Sequence, residues 1–485
     1  MADDLGARNP AYCLPYELLL EVWKHARSQG FVSEKGRTWI PTAFTVSQVC
    51  KWWRRAAITT PDLWREIRFL SNAQTPKIVE MIKLQLDRSD GRSLDIAGRL
   101  WCSGPAASAI FQREKEVAHQ LLSLLSRYAL QWDSFSIVVE GASALRDCDT
   151  MLALIDNLVC CVDAPHLEHL QIECSGYQGQ RYGAVSRCRH LRLEEGLWNV
   201  SHLHLRSASV DLQETPLARL TTLDIGCLPP DLRFLLSDFG EILTRASSLC
   251  SLCFTGPCLQ GGSLGYGPIH MPCLRSLTFN ECSSDLDDDG FMFELHCLIS
   301  APNLVSLVLG GLQYTALRDF LRSTGGGIRP KYPALARLCL RNVETFNLVI
   351  PSAQMQLELC AELARRFPTI EHLELENKSC FLLSSLVADT QRNPYLFLFP
   401  HLCKLSWLPL RAGDSDSIKK YMTARASAGK PLTSLRLQDS RFVRVSKSDI
   451  EWFEKRVQLE LSSHIQDPDP YEWPGQVSPP AQALQ

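Results

Sequence analysis

The stretches Tyr332-Pro-Ala-Leu-Ala-Arg-Leu-Cys-Leu340 and Phe367-Pro-Thr-Ile-Glu-His-Leu-Glu-Leu375 follow one pattern: an aromatic residue, a proline, then apolar side chains at the fourth, seventh and ninth places. The last two apolar places are two apart, the period of a strand with one buried face, and the proline biases the residue before it towards extended backbone. Related copies open at Ala164, Met271, Ala301 and Phe399, and weaker ones end at Ile137, Leu193, Leu205, Ile225, Phe254 and Leu437. One short strand cannot hide its own apolar row, so copies in series predict strands that lie side by side.

The core of this pattern, L-x-x-L-x-L, is the strand signature of leucine-rich repeats. Copies recur at about 25–35 residues, longer and less even than regular arrays. The excess is helical, with i, i+3, i+4 apolar spacing at 231–244, 289–299, 314–322, 355–366 and 418–426. Strand then helix, repeated, predicts an α/β fold. It is an irregular leucine-rich-repeat horseshoe over 131–460, parallel strands inside and helices outside. A doubly wound sheet is the alternative, but strands buried on both faces read as continuous apolar runs. Here Gln171, Asp224, Thr278, Glu374, Ser406 and Arg436 stand between the paired apolar residues, which leaves one face open.

Before the regular copies, 76–86 reads as a helix and 93–96 as a strand, a transition across 70–130. After them, 461–485 is dense in proline and turn residues and is expected to be a disordered tail. Residues 1–12 are expected to be a flexible N-terminus.

Between these, 13–69 holds CLPYELLLEVW at Cys13 to Trp23, with Leu14, Leu18, Leu19 and Val22 at helical spacing. A polar loop follows over 28–41. Then Val46, Val49, Cys50, Trp53 and Ala57 read as one helical face, and Pro61 starts a further turn that ends at Leu63-Trp64. Three short helices with this many large apolar groups have too little interior to bury them all, and a leftover apolar face is a docking face.

L-P-x-E-L at Leu14 to Leu18, V-C-K-x-W at Val49 to Trp53 and L-W at Leu63-Trp64 resemble the F-box, in the form ending T-P-x-L-W that is similar to F-box proteins of mushroom-forming fungi. The resemblance implies a helical hook that binds the Skp adaptor of Skp-cullin-F-box ubiquitin ligases. Leu14, Pro15 and Leu18 would form the first contact strip, Val49 and Trp53 would continue it, and Leu63 and Trp64 would finish it. The loop between the first two helices is roughly ten residues longer than usual, at small entropic cost. An N-terminal cap sealing the first repeat is the competing reading of the same residues.

Fifty basic against 53 acidic residues leave a net charge of −3, so composition offers no case for nucleic acid or an anionic membrane. The N-terminus lacks the form of a signal peptide, and no long uncharged apolar run appears. The 19 cysteines are therefore expected to be reduced, in a cytoplasmic or nuclear setting, and the sequons at Asn199 and Asn377 carry little weight.

Catalytic and metal motifs are weak. Gly261-Gly-Ser-Leu-Gly265 matches a nucleophile elbow, but the glycines and prolines after it forbid the helix such an elbow needs. Asp285 to Gly290 opens like a calcium loop and then offers His296 where the bidentate glutamate belongs. Cys250 and Cys253 have no partner pair at zinc spacing, and His166, His169, His202 and His204 read as surface or strand histidines. The reading is a non-enzyme without cofactor or metal: a substrate receptor that presents a protein target to a cullin-RING ligase. The alternative is a leucine-rich-repeat scaffold that binds a partner without ubiquitination. Target contacts are expected at an acidic cluster, Glu371, His372 and Glu374, beside a basic one, Arg337 and Arg341.

Overall fold

The structure is a computed structural model that describes residues 15–29, 31–32, 39–40, 42–71, 77–102, 108–141, 145–160, 162–174, 191–192, 199–212, 217–261, 267–280, 295–312, 314–323, 331–343, 353–376, 386, 398–408, 414–438 and 445–462. The chain forms two compact units, Met1–Leu274 with Ser284–Ser300, and Arg275–Ser283 with Ala301–Gln485. Both are α/β and built on parallel strands. None of the described helices is long and apolar enough to cross a membrane.

The first unit opens with helices α1 (Tyr16–Gln29), α2 (Thr42–Val49) and α3 (Lys51–Ile58). Strand β1 (Glu66–Ser71), α4 (Ile78–Ser89), β2 (Leu94–Cys102), α5 (Ala109–Ser126), β3 (Trp132–Gly141), α6 (Leu145–Cys160) and β4 (His169–Cys174) follow. Then come β5 (His202–Arg206), β6 (Thr222–Gly226), α7 (Leu236–Arg245) and β7 (Ser251–Thr255). Each strand from β1 to β7 pairs in parallel with the next one in the chain.

The second unit repeats the plan. It runs β8 (Ser276–Asn280), β9 (Ser306–Gly310), α8 (Tyr314–Ser323), β10 (Arg337–Arg341), α9 (Ala353–Arg366), β11 (His372–Glu376) and β12 (Lys404–Leu408). It ends with α10 (Asp414–Ser427), β13 (Ser434–Gln438), α11 (Lys447–Glu454) and β14 (Gln458–Ser462). Again each strand is parallel to its successor. A doubly wound sheet reverses its strand order about a switch point, and neither unit does.

Register follows from the repeat itself. The sixth residue of one copy pairs with the sixth of the next: Ser306 with Arg337, Arg337 with His372, His372 with Lys404. The apolar places then stack in rows, with Leu309, Leu340, Leu375, Trp407 and Leu437 each at 0% exposure. Fully burying one such side chain is worth about 1.5–3 kcal/mol, so the rows are the main stabilising term. The backbone stitches each copy to the last at the strand's entrance. The amides of Glu371 and His372 both donate to the Ala336 carbonyl, and those of Cys403 and Lys404 both donate to that of Glu371. In the first unit, Gly98 on β2 is required because a Cβ there would collide with the Phe69 ring on β1.

Several local expectations need correction. The ladder already starts at Glu66, inside the stretch read as helical, and the strand expected at 93–96 runs to Cys102. The helix expected over 231–244 starts at Leu236, because Phe234–Leu235 is taken up in a parallel pairing with Leu259–Gln260. The one expected over 289–299 ends differently, since Ile299–Ser300 is a strand paired with Ile269–His270, and 281–294 lie outside the described residues. Within the loop expected over 28–41, α1 continues to Gln29 and Phe31–Val32 pairs antiparallel with Trp39–Ile40. Residues 1–12, 262–265, 285–290 and 463–485, with their readings as flexible terminus, loop, calcium-like segment and tail, also lie outside the described residues.

Candidate functional site

The N-terminal helices have a completed core. Leu19 and Trp23 of α1, Ala43 and Val46 of α2, Ala56 and Ala57 of α3, and Leu63 and Trp64 pack together, with Phe44, Trp52 and Trp53 partly buried against them. The Trp23 and Trp53 rings meet edge to face at 5.5 Å. Trp64 is fully buried: its Nε1 donates to the Ala57 carbonyl at 2.7 Å, and its ring meets Phe44 edge to face. The Tyr16 hydroxyl is hydrogen-bonded to Thr60 Oγ1.

This core divides the residues expected to form one contact strip. Pro15 is exposed, Leu18 is 53% exposed and Val49 56%, while Trp53 is half-buried and Leu63 and Trp64 lie inside. Leu14 lies outside the described residues. Two details of the sequence reading give way. Helix α1 carries two apolar stripes, Leu19 and Trp23 facing in and Leu18 and Val22 facing out, the latter pair four residues apart on one face. Val49 and Trp53 do not share a helix, because Cys50 adopts extended backbone and caps α3, its Sγ accepting from the Trp53 amide at 3.4 Å. Val22 and Ile58, also exposed, join Leu18 and Val49 as apolar side chains that the core leaves in solvent.

A second candidate is the polar row of the second unit. Arg337 Nη2 lies 2.6 Å from Glu374 Oε2, and Arg341 Nε lies 2.9 Å from Glu376 Oε2. Of the two clusters expected to stand side by side, Arg337 and Glu374 pair across β10 and β11, while Arg341 takes Glu376, a residue outside the expected set. His372 Nε2 meets Ser406 Oγ of β12 at 2.8 Å. Glu371 precedes the strand and has the parity of Leu373 and Leu375, so it does not belong to the row formed by His372, Glu374 and Glu376.

Cys339, Glu374 and Glu376 bring three donor atoms within 4.8 Å of one another, a set of metal-binding type. Guanidinium groups already occupy both carboxylates, and burial followed by the charge of Glu374 pushes the Cys339 thiol up to about 12. For Glu374, the penalty of burial is overcome by the Arg337 hydrogen bond, which holds its carboxyl below the ordinary value. Glu376 goes the other way, pushed up to about 7 by burial and by the hydrogen bond and charge of Glu374, despite Arg341.

That shift has a pH consequence. Native Glu376 keeps its proton to about 7, whereas an unfolded glutamate loses it near its ordinary value of 4.5. Between those values the native state binds more protons, so this group's contribution to stability falls as pH rises through the window. His372, held low by burial and then by Arg337, produces the opposite slope. A Glu376→Gln chain removes the first slope and keeps the second. Its Tm relative to wild type is therefore expected to rise between pH 5 and pH 8, and a difference that stays flat in thermal melts would contradict the assignment.

The first unit has its own polar row. His204 Nδ1 lies 2.9 Å from Asp224 Oδ2 and its Nε2 4.0 Å from Glu173, while His169 and His202 stack at 4.2 Å. Burial and then Asp224 push the Cys253 thiol up to about 12, so it is protonated and a poor nucleophile at neutral pH. At the strands' entrance an open polar groove of ≈ 520 Å³ is lined by Asp133, His166, Glu168 and Arg219 among others. Ser201 Oγ there sits 2.8 Å from His202 Nδ1, but the same hydroxyl reaches the Glu168 carbonyl, as Thr221 reaches that of Ser201 and Thr433 that of Cys403. These hydroxyls stitch neighbouring copies.

In comparisons with known proteins, no family model matches the chain and no curated protein matches its sequence.

Proposed function

We propose that the chain is the substrate receptor of a Skp-cullin-F-box ubiquitin ligase, with an F-box at 13–69 followed by a leucine-rich-repeat horseshoe that binds a protein target. One observation carries this reading: Leu18, Val22, Val49 and Ile58 stay exposed although the helices beneath them have a sealed core. Exposed large apolar groups clustered on one small helical unit, with Leu18 and Val22 on a single helix face, mark an interaction surface. The repeats contribute a second line of support, because in each unit parallel strands add in chain order, with a fully apolar row on one face and a mixed one, polar at most positions, on the other. The receptor performs no bond chemistry. It raises the effective concentration of a bound target's lysine near the charged conjugating enzyme.

Leu63 and Trp64 favour the competing reading in one respect, since their burial suits a cap on the array. The two readings part at the adaptor. Replacing both Leu18 and Val49 with Asp is expected to lower affinity for a Skp-type adaptor at least about a hundredfold, because each large apolar side chain is worth about 1.5–3 kcal/mol when buried. Both sites are exposed, so the melting temperature is expected to hold. Isothermal titration of the purified full chain with the adaptor measures this, and a wild-type chain that does not bind would leave the non-ligase scaffold.

A further inference from the structure

On the polar row of the second unit, carboxylates and cations sit at different depths. Glu374 has 4% of its side chain exposed against 43% for its partner Arg337, and Glu376 has 20% against 37% for Arg341. Lys404, next in the row after His372, is exposed, and Arg436 on the following strand is 40% exposed, 3.5 Å from Glu460 on the terminal strand. His372 adds no cation of its own, since burial and its cationic neighbours favour the neutral ring. Across β10 to β12 an incoming chain thus meets cationic ends above buried carboxylates, while at β13 Arg436 stands beside the more exposed Glu460.

We propose that this row is the docking surface for an acidic, extended polypeptide segment, a reading that deepens the target-binding role given to the repeats. Arg337 and Lys404 stand two strands apart, about 10 Å at a strand spacing of about 4.8 Å, which three residues of a polyproline-II chain span at about 3.1 Å each with every third side chain on the same side. Carboxylates at every third position would meet both cations, with Arg436 one strand further and two residues along, in register with Ser406. Exposed rim charges of this kind set specificity and association rate more than buried area does.

The test uses the full chain and a fluorescein-labelled peptide about ten residues long with glutamate at every third position and serines between, with lysine in place of glutamate in its opposite. Fluorescence anisotropy is expected to show binding of the first peptide only. A Lys404→Glu, Arg436→Glu chain, which leaves the Arg337–Glu374 and Arg341–Glu376 pairs in place, is expected to weaken it on the order of tenfold. A control carrying Lys420→Glu and Lys455→Glu, the same charge change at exposed positions on α10 and just after α11, is expected to leave it unchanged. Should the first variant melt early, Lys404→Gln with Arg436→Gln replaces it, with a smaller loss in the same direction. Equal weakening by both double variants, equal binding of the two peptides, or no binding of the acidic one overturns the proposal. Adaptor binding measured on the same preparations separates the two readings. Its persistence when peptide binding fails sinks only the acidic-segment inference, and the converse sinks only the ligase reading.

Discussion

Arg425→Ala is expected to cost the second unit about 3–5 kcal/mol, since each buried acceptor that loses its donor costs about 1–3 kcal/mol. The Arg425 side chain of α10 is 1% exposed yet fully engaged by carbonyls. Its Nη1 donates to the Phe399 carbonyl at 3.0 Å, its Nη2 to that of Leu402 at 2.7 Å and its Nε to that of Lys430 at 3.1 Å, with the Tyr421 hydroxyl at 3.4 Å. Two of those carbonyls lie in the turn that leads into β12, and the third follows the end of α10. One guanidinium therefore ties a helix to the entrance of the next strand. Alanine would leave two buried acceptors, Phe399 and Leu402, and the partly buried Lys430 carbonyl without these donors and open a cavity, two penalties that add. Lysine keeps the charge but lacks the planar fork of donors, so Arg425→Lys is expected to fall between alanine and wild type. Differential scanning calorimetry of the full chain suits the measurement, because the units need not melt as one. A shift of about 1 kcal/mol or less for alanine would mean that water replaces the guanidinium there.

That arginine shows how much the amino-acid pattern discloses. Ile418, Tyr421, Met422 and Arg425 are spaced i, i+3, i+4, i+7 and all are buried, so periodicity alone put Arg425 on the inner stripe of its helix. Its charge made a solvent face the natural reading, and only the three carbonyls explain the exception. Register within the array was legible in the same way, because aligning the copies on their proline pairs Arg337 with His372 and His372 with Lys404. The ion pair Arg337–Glu374 was not, since it joins positions two residues apart along the strands and depends on side-chain reach. Strand β1 escaped notice because Glu66 to Ser71 lacks the proline-led copy, although Ile67 and Phe69 alternate as a strand should. In the N-terminal helices, apolar spacing could not choose between two stripes on α1. Leu18 and Leu19 are adjacent and both leucine, and only the packing of Trp23 and Trp64 decides which one turns inward.

The same packing sets the last expectation. Trp64→Ala is expected to destabilise the N-terminal helices by about 3–5 kcal/mol, the cost of deleting a large aromatic from a core. Its indole touches three elements: Ala57 of α3 through Nε1, Phe44 of α2 through the ring edge, and Arg88 of α4, whose Cζ lies 4.4 Å over the ring centroid. A docking residue and a core residue can both lose adaptor binding on mutation, so the separation comes from pairing two measurements. If Trp64 acts through the core, Trp64→Phe keeps most of the ring, loses the bond to Ala57, lowers stability by about 1–2 kcal/mol and leaves adaptor affinity intact. The Leu18, Val49 double variant is expected to do the reverse, with its melting temperature unchanged and its affinity gone. A Trp64→Ala chain that melts like wild type but fails to bind the adaptor would place Trp64 in the contact strip itself and would mean that the helices open to expose it on docking.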